Sequence, residues 1–162
     1  MVDSTRLRIY LQDHLAGATA GLELARRTRG ANEGTDYGEP LAQLADEIEA
    51  DRGALEAILD DLGFGPDRAK NLGAWAAEKL GRLKLNGQLT GYSPLSRVIE
   101  LEGLMAGINA KLSLWRILVD VASEEPRLDA DHLRRLIERG EKQHRTVEEL
   151  RTRAAREAFL PS

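Results

Sequence analysis

Apolar side chains recur every three to four residues along most of this chain, and that period commits it to helices. Leu7, Leu11, Leu15, Ala18, Leu22 and Ala25 form the first stripe and predict a helix over residues 4–28. A polar link, "TRGANEGTDYGEP", follows, with a proline suited to the first turn of a second helix over residues 39–62. That helix carries Leu41, Leu44, Ala45, Ile48, Leu55, Leu59 and Leu62. After the break at "GFGPD", a shorter helix is expected over residues 66–84, with Leu72, Trp75, Ala76, Leu80 and Leu83 on its face. Ser93 as N-cap and Pro94 at the first position open a fourth over residues 94–122. "SEEPRLDAD" ends it, and a fifth runs over residues 129–158.

The fourth helix is the most apolar. Leu101, Leu104, Ile108, Leu112, Trp115 and Val119 form its main stripe, while Ile99, Leu114, Ile117 and Val121 lie on the other side. It is therefore expected at the centre of the fold or against a partner chain. The links over residues 28–39 and 86–93 have no apolar stripe and are expected to be mobile. Four long helices and one shorter connecting helix give an all-α, antiparallel four-helix bundle.

With 162 residues the chain has the size of a single domain, 1–162, able to bury a core without cross-links. A net charge of −4 from 23 basic and 27 acidic residues leaves no basic stripe, so nucleic acid is not an expected partner. Cysteine is absent, which removes thiolate chemistry and disulfides. The opening "MVDSTRLRIYLQDHL" does not read as a secretion signal, and nowhere do 18 apolar residues run together. A cytoplasmic protein without membrane spans is the expectation.

In such a bundle, charged residues within an apolar stripe carry the information. Arg52 falls between Ile48 and Leu55, where an unpartnered guanidinium would cost several kcal/mol, so an acidic partner from a facing helix is expected. Glu102, Asn109 and Arg116 recur at seven-residue intervals on the fourth helix. His144 lies between Gly140 and Val147 on the last helix, with Glu141 at the border, and His14 shares a face with Leu11 and Ala18. "AGATAG", residues 16–21, reads first as a close-packing face and alternatively as the wall of a mid-bundle cavity. Gly103 and Gly107 offer a second close contact with it.

This helix order, with a Glu-x-x-His in the last helix, resembles the ferritin-like superfamily, in particular an actinobacterial-type branch with an incomplete di-metal motif. The resemblance implies one Glu ligand from each of the first and third bundle helices and a Glu-x-x-His from each of the second and fourth. On this chain the matching residues are Glu49, Glu102, Glu141 and His144, and the implied cofactor is iron or manganese. Two positions depart from the pattern: Arg52 stands where the second helix should supply His, and Ala18 where the first should supply Glu. A guanidinium repels divalent ions and can itself hold carboxylates. The resemblance so amended implies an ion-pair network of Arg52, Glu102 and Glu141 in place of a metal centre.

Three functions follow as expectations. The first is a non-enzymatic structural or interaction module, a homodimer through the apolar back of the fourth helix. The second is an iron- or manganese-dependent oxidoreductase or iron-handling protein. The third is a carrier of a small anionic ligand, with Arg52 as anchor and a pocket at mid-bundle.

Overall fold

Four helices carry the residues that the computed structural model describes, 2–65 and 92–160: α1 (Ser4–Ala31), α2 (Gly38–Asp61), α3 (Pro94–Val121) and α4 (Ala130–Phe159). There is no strand among the described residues. The expected helix over residues 66–84 and nearly all of the loop before Ser93 lie outside them. Three of the four helices start at a short polar side chain that accepts from free backbone N–H groups. Asp3 accepts from Thr5 and Arg6, both at 3.1 Å, Ser93 from Ser96 at 3.1 Å, and Asp129 from Asp131 and His132 at 2.9 and 3.0 Å.

Cross-helix ion pairs fix the helix directions. Arg26 meets Glu49 and Arg29 meets Asp46, so α1 and α2 are antiparallel. Arg27 meets Glu100 while Leu24 faces Gly103, which makes α1 and α3 antiparallel too. Arg97–Glu157 and Arg116–Glu141 do the same for α3 and α4. Helices α2 and α3 are therefore parallel, with the end of α2 and the start of α3 at opposite ends of the bundle. The four described helices run up, down, down, up.

The link between α1 and α2 differs from its expectation. Helix α1 continues to Ala31, and the link is tied down by two buried residues, Asn32 and Tyr37. Gly34 takes a left-handed φ of 74°, which lets the chain turn there. The fourth predicted helix, here α3, is also less two-sided than its composition implies. Leu114 is buried, but Ile117 is 45% exposed.

The core is divided. One cluster, around Leu24, Leu41, Leu44, Leu101, Leu104 and Val147, fills the end near the α1–α2 link. The other, around Leu11, Leu55, Leu59, Trp115, Leu118 and Leu133, fills the opposite end. Between them lies a layer of polar side chains. No described helix is long and apolar enough to cross a membrane.

Candidate ligand-binding site at the middle of the bundle

Three of the described helices place one polar residue in the middle of a buried line. In α2 the line is Leu44, Asp51, Ile58; in α3 it is Leu104, Lys111, Leu118; in α4 it is Leu136, Gln143, Leu150. Each polar residue is flanked by apolar ones seven residues away, two turns along the same face. They meet in space. The Lys111 ammonium donates to Asp51 Oδ2 and to Gln143 Oε1. Gln143 Nε2 donates to Asp51 Oδ2 at 3.0 Å. Arg139, one turn before Gln143, donates to Asp51 Oδ1 through Nε at 2.7 Å and also through Nη2.

Asp51 is 2% exposed and Gln143 1% exposed. A carboxylate that deep is tolerated because its oxygens accept from two cations and an amide. The balance within hydrogen-bonding reach is one carboxylate against two cations. Burial lowers the pKa of Lys111 from the ordinary lysine value; Asp51 opposes the shift, Arg139 adds to it, and the more distant charge of Glu47 offsets it in part.

A cavity of about 110 Å³ adjoins this layer. Ile48, Leu55, Leu104, Ile108, Leu114 and Trp115 supply its apolar wall. Asp51, Lys111, Arg52 and His14 are its polar members. Space is available because α1 brings small residues there: Gly17, Ala18 and Gly21 line it, as do Gly107 and Ala110 of α3. Gly17, Gly107 and Ala110 are exposed, so the rim reaches solvent between α1 and α3. An apolar cavity of about 150 Å³ can admit benzene, so this one suits a molecule of a few heavy atoms.

Two groups in the wall bear on its chemistry. Trp115 is 1% exposed, yet its indole Nε1–H has no hydrogen-bond partner among the described residues. A buried donor left unpaired costs about 1–3 kcal/mol. Burial lowers the pKa of His14, with nearby Asp13 opposing, and the ring packs edge-on to Tyr10 at 4.6 Å.

The residues singled out from the sequence are distributed differently. Glu49 is exposed and pairs with Arg26 at 2.9 Å. Glu102 is exposed, 3.7 Å from Arg151. Glu141 pairs with Arg116 at 3.0 Å, and His144 is half-buried on the same helix. Among the described residues no three His, Asp or Glu side chains gather where one metal ion could be held. These four residues as placed do not fit a di-metal cage, because each carboxylate lies on a polar margin and faces an arginine. The expected network of Arg52, Glu102 and Glu141 is replaced by separate pairs. Arg52 donates to Thr19 Oγ1 at 3.1 Å and to Glu56 on its own helix at 2.8 Å. It is the neighbouring Asp51 that points to the core.

The small-residue run is also resolved. A Cβ added at Gly17 or Gly21 would meet nothing within 4 Å, so these glycines do not mark a tight helix contact. Gly103 does make one: a Cβ there would come within 2.9 Å of Leu24 Cδ2. Gly107 has open space instead. Asp51, Lys111, Arg139 and Gln143 were not singled out from the sequence, though the seven-residue lines interrupted by Asp51, Lys111 and Gln143 were there to be read. No family model, curated protein or solved structure matches this chain.

Proposed function

We propose that the chain is a single-domain, ferritin-like bundle that binds a small, mostly apolar anion, such as a short-chain carboxylate, in its mid-bundle cavity. The observation that carries this reading is a largely apolar cavity at mid-bundle that holds the cations Lys111 and Arg52 in its lining. A carboxylate there would find an excess of positive charge, and its hydrocarbon tail would meet leucine and isoleucine. Second and third bundle helices that run parallel are also found in ferritin-like bundles, which supports that part of the proposal. The interior charge that such bundles place on metal ions is here supplied by Lys111 and Arg139.

The test is thermal unfolding with butanoate and, separately, butylamine. Butanoate is expected to raise Tm and butylamine to leave it unchanged. Gly107→Leu, which places a side chain in open space at the rim, is expected to abolish the butanoate shift. Equal shifts with both probes, or an unaltered shift in the variant, would sink the reading.

A homodimer is a second proposal. It draws on Ile9 of α1 and Ile117 of α3, exposed at 47% and 45%. Sedimentation as a strict monomer would remove it.

A further inference from the structure

We infer that Lys111 is a covalent capture site, forming an imine with a ligand that carries an aldehyde or ketone in the mid-bundle cavity. The inference rests on the reading of the cavity as a ligand site and adds a reaction to it.

A lysine attacks carbonyls only as the free amine, and proteins free it by desolvation or by a neighbouring cation. Lys111 has both. Its side chain is 15% exposed in the wall of an apolar cavity, and the Arg139 guanidinium shares the carboxylate to which it is hydrogen-bonded. Two of the three ammonium hydrogens are directed at Asp51 and Gln143. Asp51, hydrogen-bonded to the ammonium and itself part of the cavity wall, is placed to take the proton. Burial and Arg139 both act to release it, against Asp51 and Glu47.

The step balances without an added reagent. Lys111 passes one proton to Asp51, and its lone pair forms a C–N bond to the carbonyl carbon. The carbonyl π pair moves to oxygen, and the proton shed by the new C–N nitrogen is relayed to that oxygen to give a neutral carbinolamine. The resulting carbinolamine loses its hydroxyl as water, taking a proton from the Asp51 side, and leaves a protonated imine on Lys111. In net terms an ammonium and a carbonyl give an iminium and water.

The experiment treats the full chain with limiting butanal, then borohydride, and maps adducts by peptide mass. A single reduced adduct at Lys111, at least ten times that at exposed Lys142, is expected, and excess butanoate should suppress it. Lys111→Arg, which keeps the charge beside Asp51, should lose the adduct with an unchanged circular dichroism spectrum. If that variant does not fold, the map of the folded wild type decides alone. Labelling of Lys111 no greater than of Lys142 overturns the inference, even where butanoate still raises Tm. A selective Lys111 adduct without any butanoate shift upholds the imine and overturns the preference for carboxylates.

Discussion

Among the described residues, one buried polar cluster holds the bundle at mid-height and another at the end where α1 turns into α2. At the end, Asn32 is fully buried and its side chain is used on both sides. Its Nδ2 donates to Thr28 O at 2.7 Å and to Tyr92 Oη at 2.9 Å, while Oδ1 accepts from Arg97 Nε at 2.7 Å. Tyr92 in turn donates to Glu100, and the Tyr37 ring takes the Arg97 and Arg153 guanidinium groups against it at 4.2 and 3.8 Å. Rings and guanidinium planes occupy the space around this cluster. At mid-height the polar groups are as well bonded, but a cavity adjoins them. The first arrangement joins helix ends; the second leaves room for a ligand.

Breaking the mid-height cluster should give the largest effect. Asp51→Ala leaves Lys111 and Arg139 without their shared carboxylate and is expected to cost about 3–5 kcal/mol in urea unfolding. Adding Lys111→Met should recover part of that loss; a purely additive double variant would show that the two side chains are not coupled. At the end cluster, Asn32→Ala strands the Arg97 Nε and Tyr92 partners and should cost about 1–3 kcal/mol.

Glycines sharpen the same comparison at smaller scale. Gly140→Ala is expected to destabilise by about 1–3 kcal/mol, since its Cβ would lie 2.8 Å from Leu112 Cδ2 and 3.3 Å from its Cγ. Gly17→Ala on the cavity rim should instead stabilise by up to about 1 kcal/mol, because the helix gains and nothing is struck. Loss of stability at Gly17 would mean that the cavity is smaller than described.

In alkaline solution the two clusters should oppose each other. Burial raises the pKa of Tyr92 from 10.0 to about 12. The unfolded chain then loses this proton first, so the contribution of Tyr92 is full below about pH 10 and disappears between there and about pH 12. Lys111 has the opposite sign: its folded pKa lies below 10.5, so the unfolded chain holds the extra proton and stability rises with pH up to that value. Unfolding curves for Tyr92→Phe and Lys111→Met across this range should flatten the falling and the rising component respectively.

Much of the architecture was legible in the sequence. The stripe from Leu7 to Ala25, the Ser93–Pro94 start and the breaks at Gly63 and Pro126 located four long helices to within a few residues. Reading charged residues as candidate interior groups was less successful. Arg52 and Asp51 are adjacent, both one turn from Ile48 and Leu55, and the spacing does not choose between them. A long arginine can lie along the surface to Glu56, whereas a short aspartate stays where its Cβ points. Glu102, Asn109 and Arg116 form a regular polar line, but it is the solvent side of α3, and the single lysine between Leu104 and Leu118 is the interior group.

Period and punctuation, then, determined by themselves that this chain is helical and where its long helices start and stop, because those depend on local hydrogen bonding and on one face being apolar. The tertiary structure alone decided which helices are neighbours, that Asp51 meets Lys111, Arg139 and Gln143, and that small residues on α1 and α3 border a space instead of touching. These are relations between segments as many as 92 positions apart, and the sequence of one segment does not encode the distance to another.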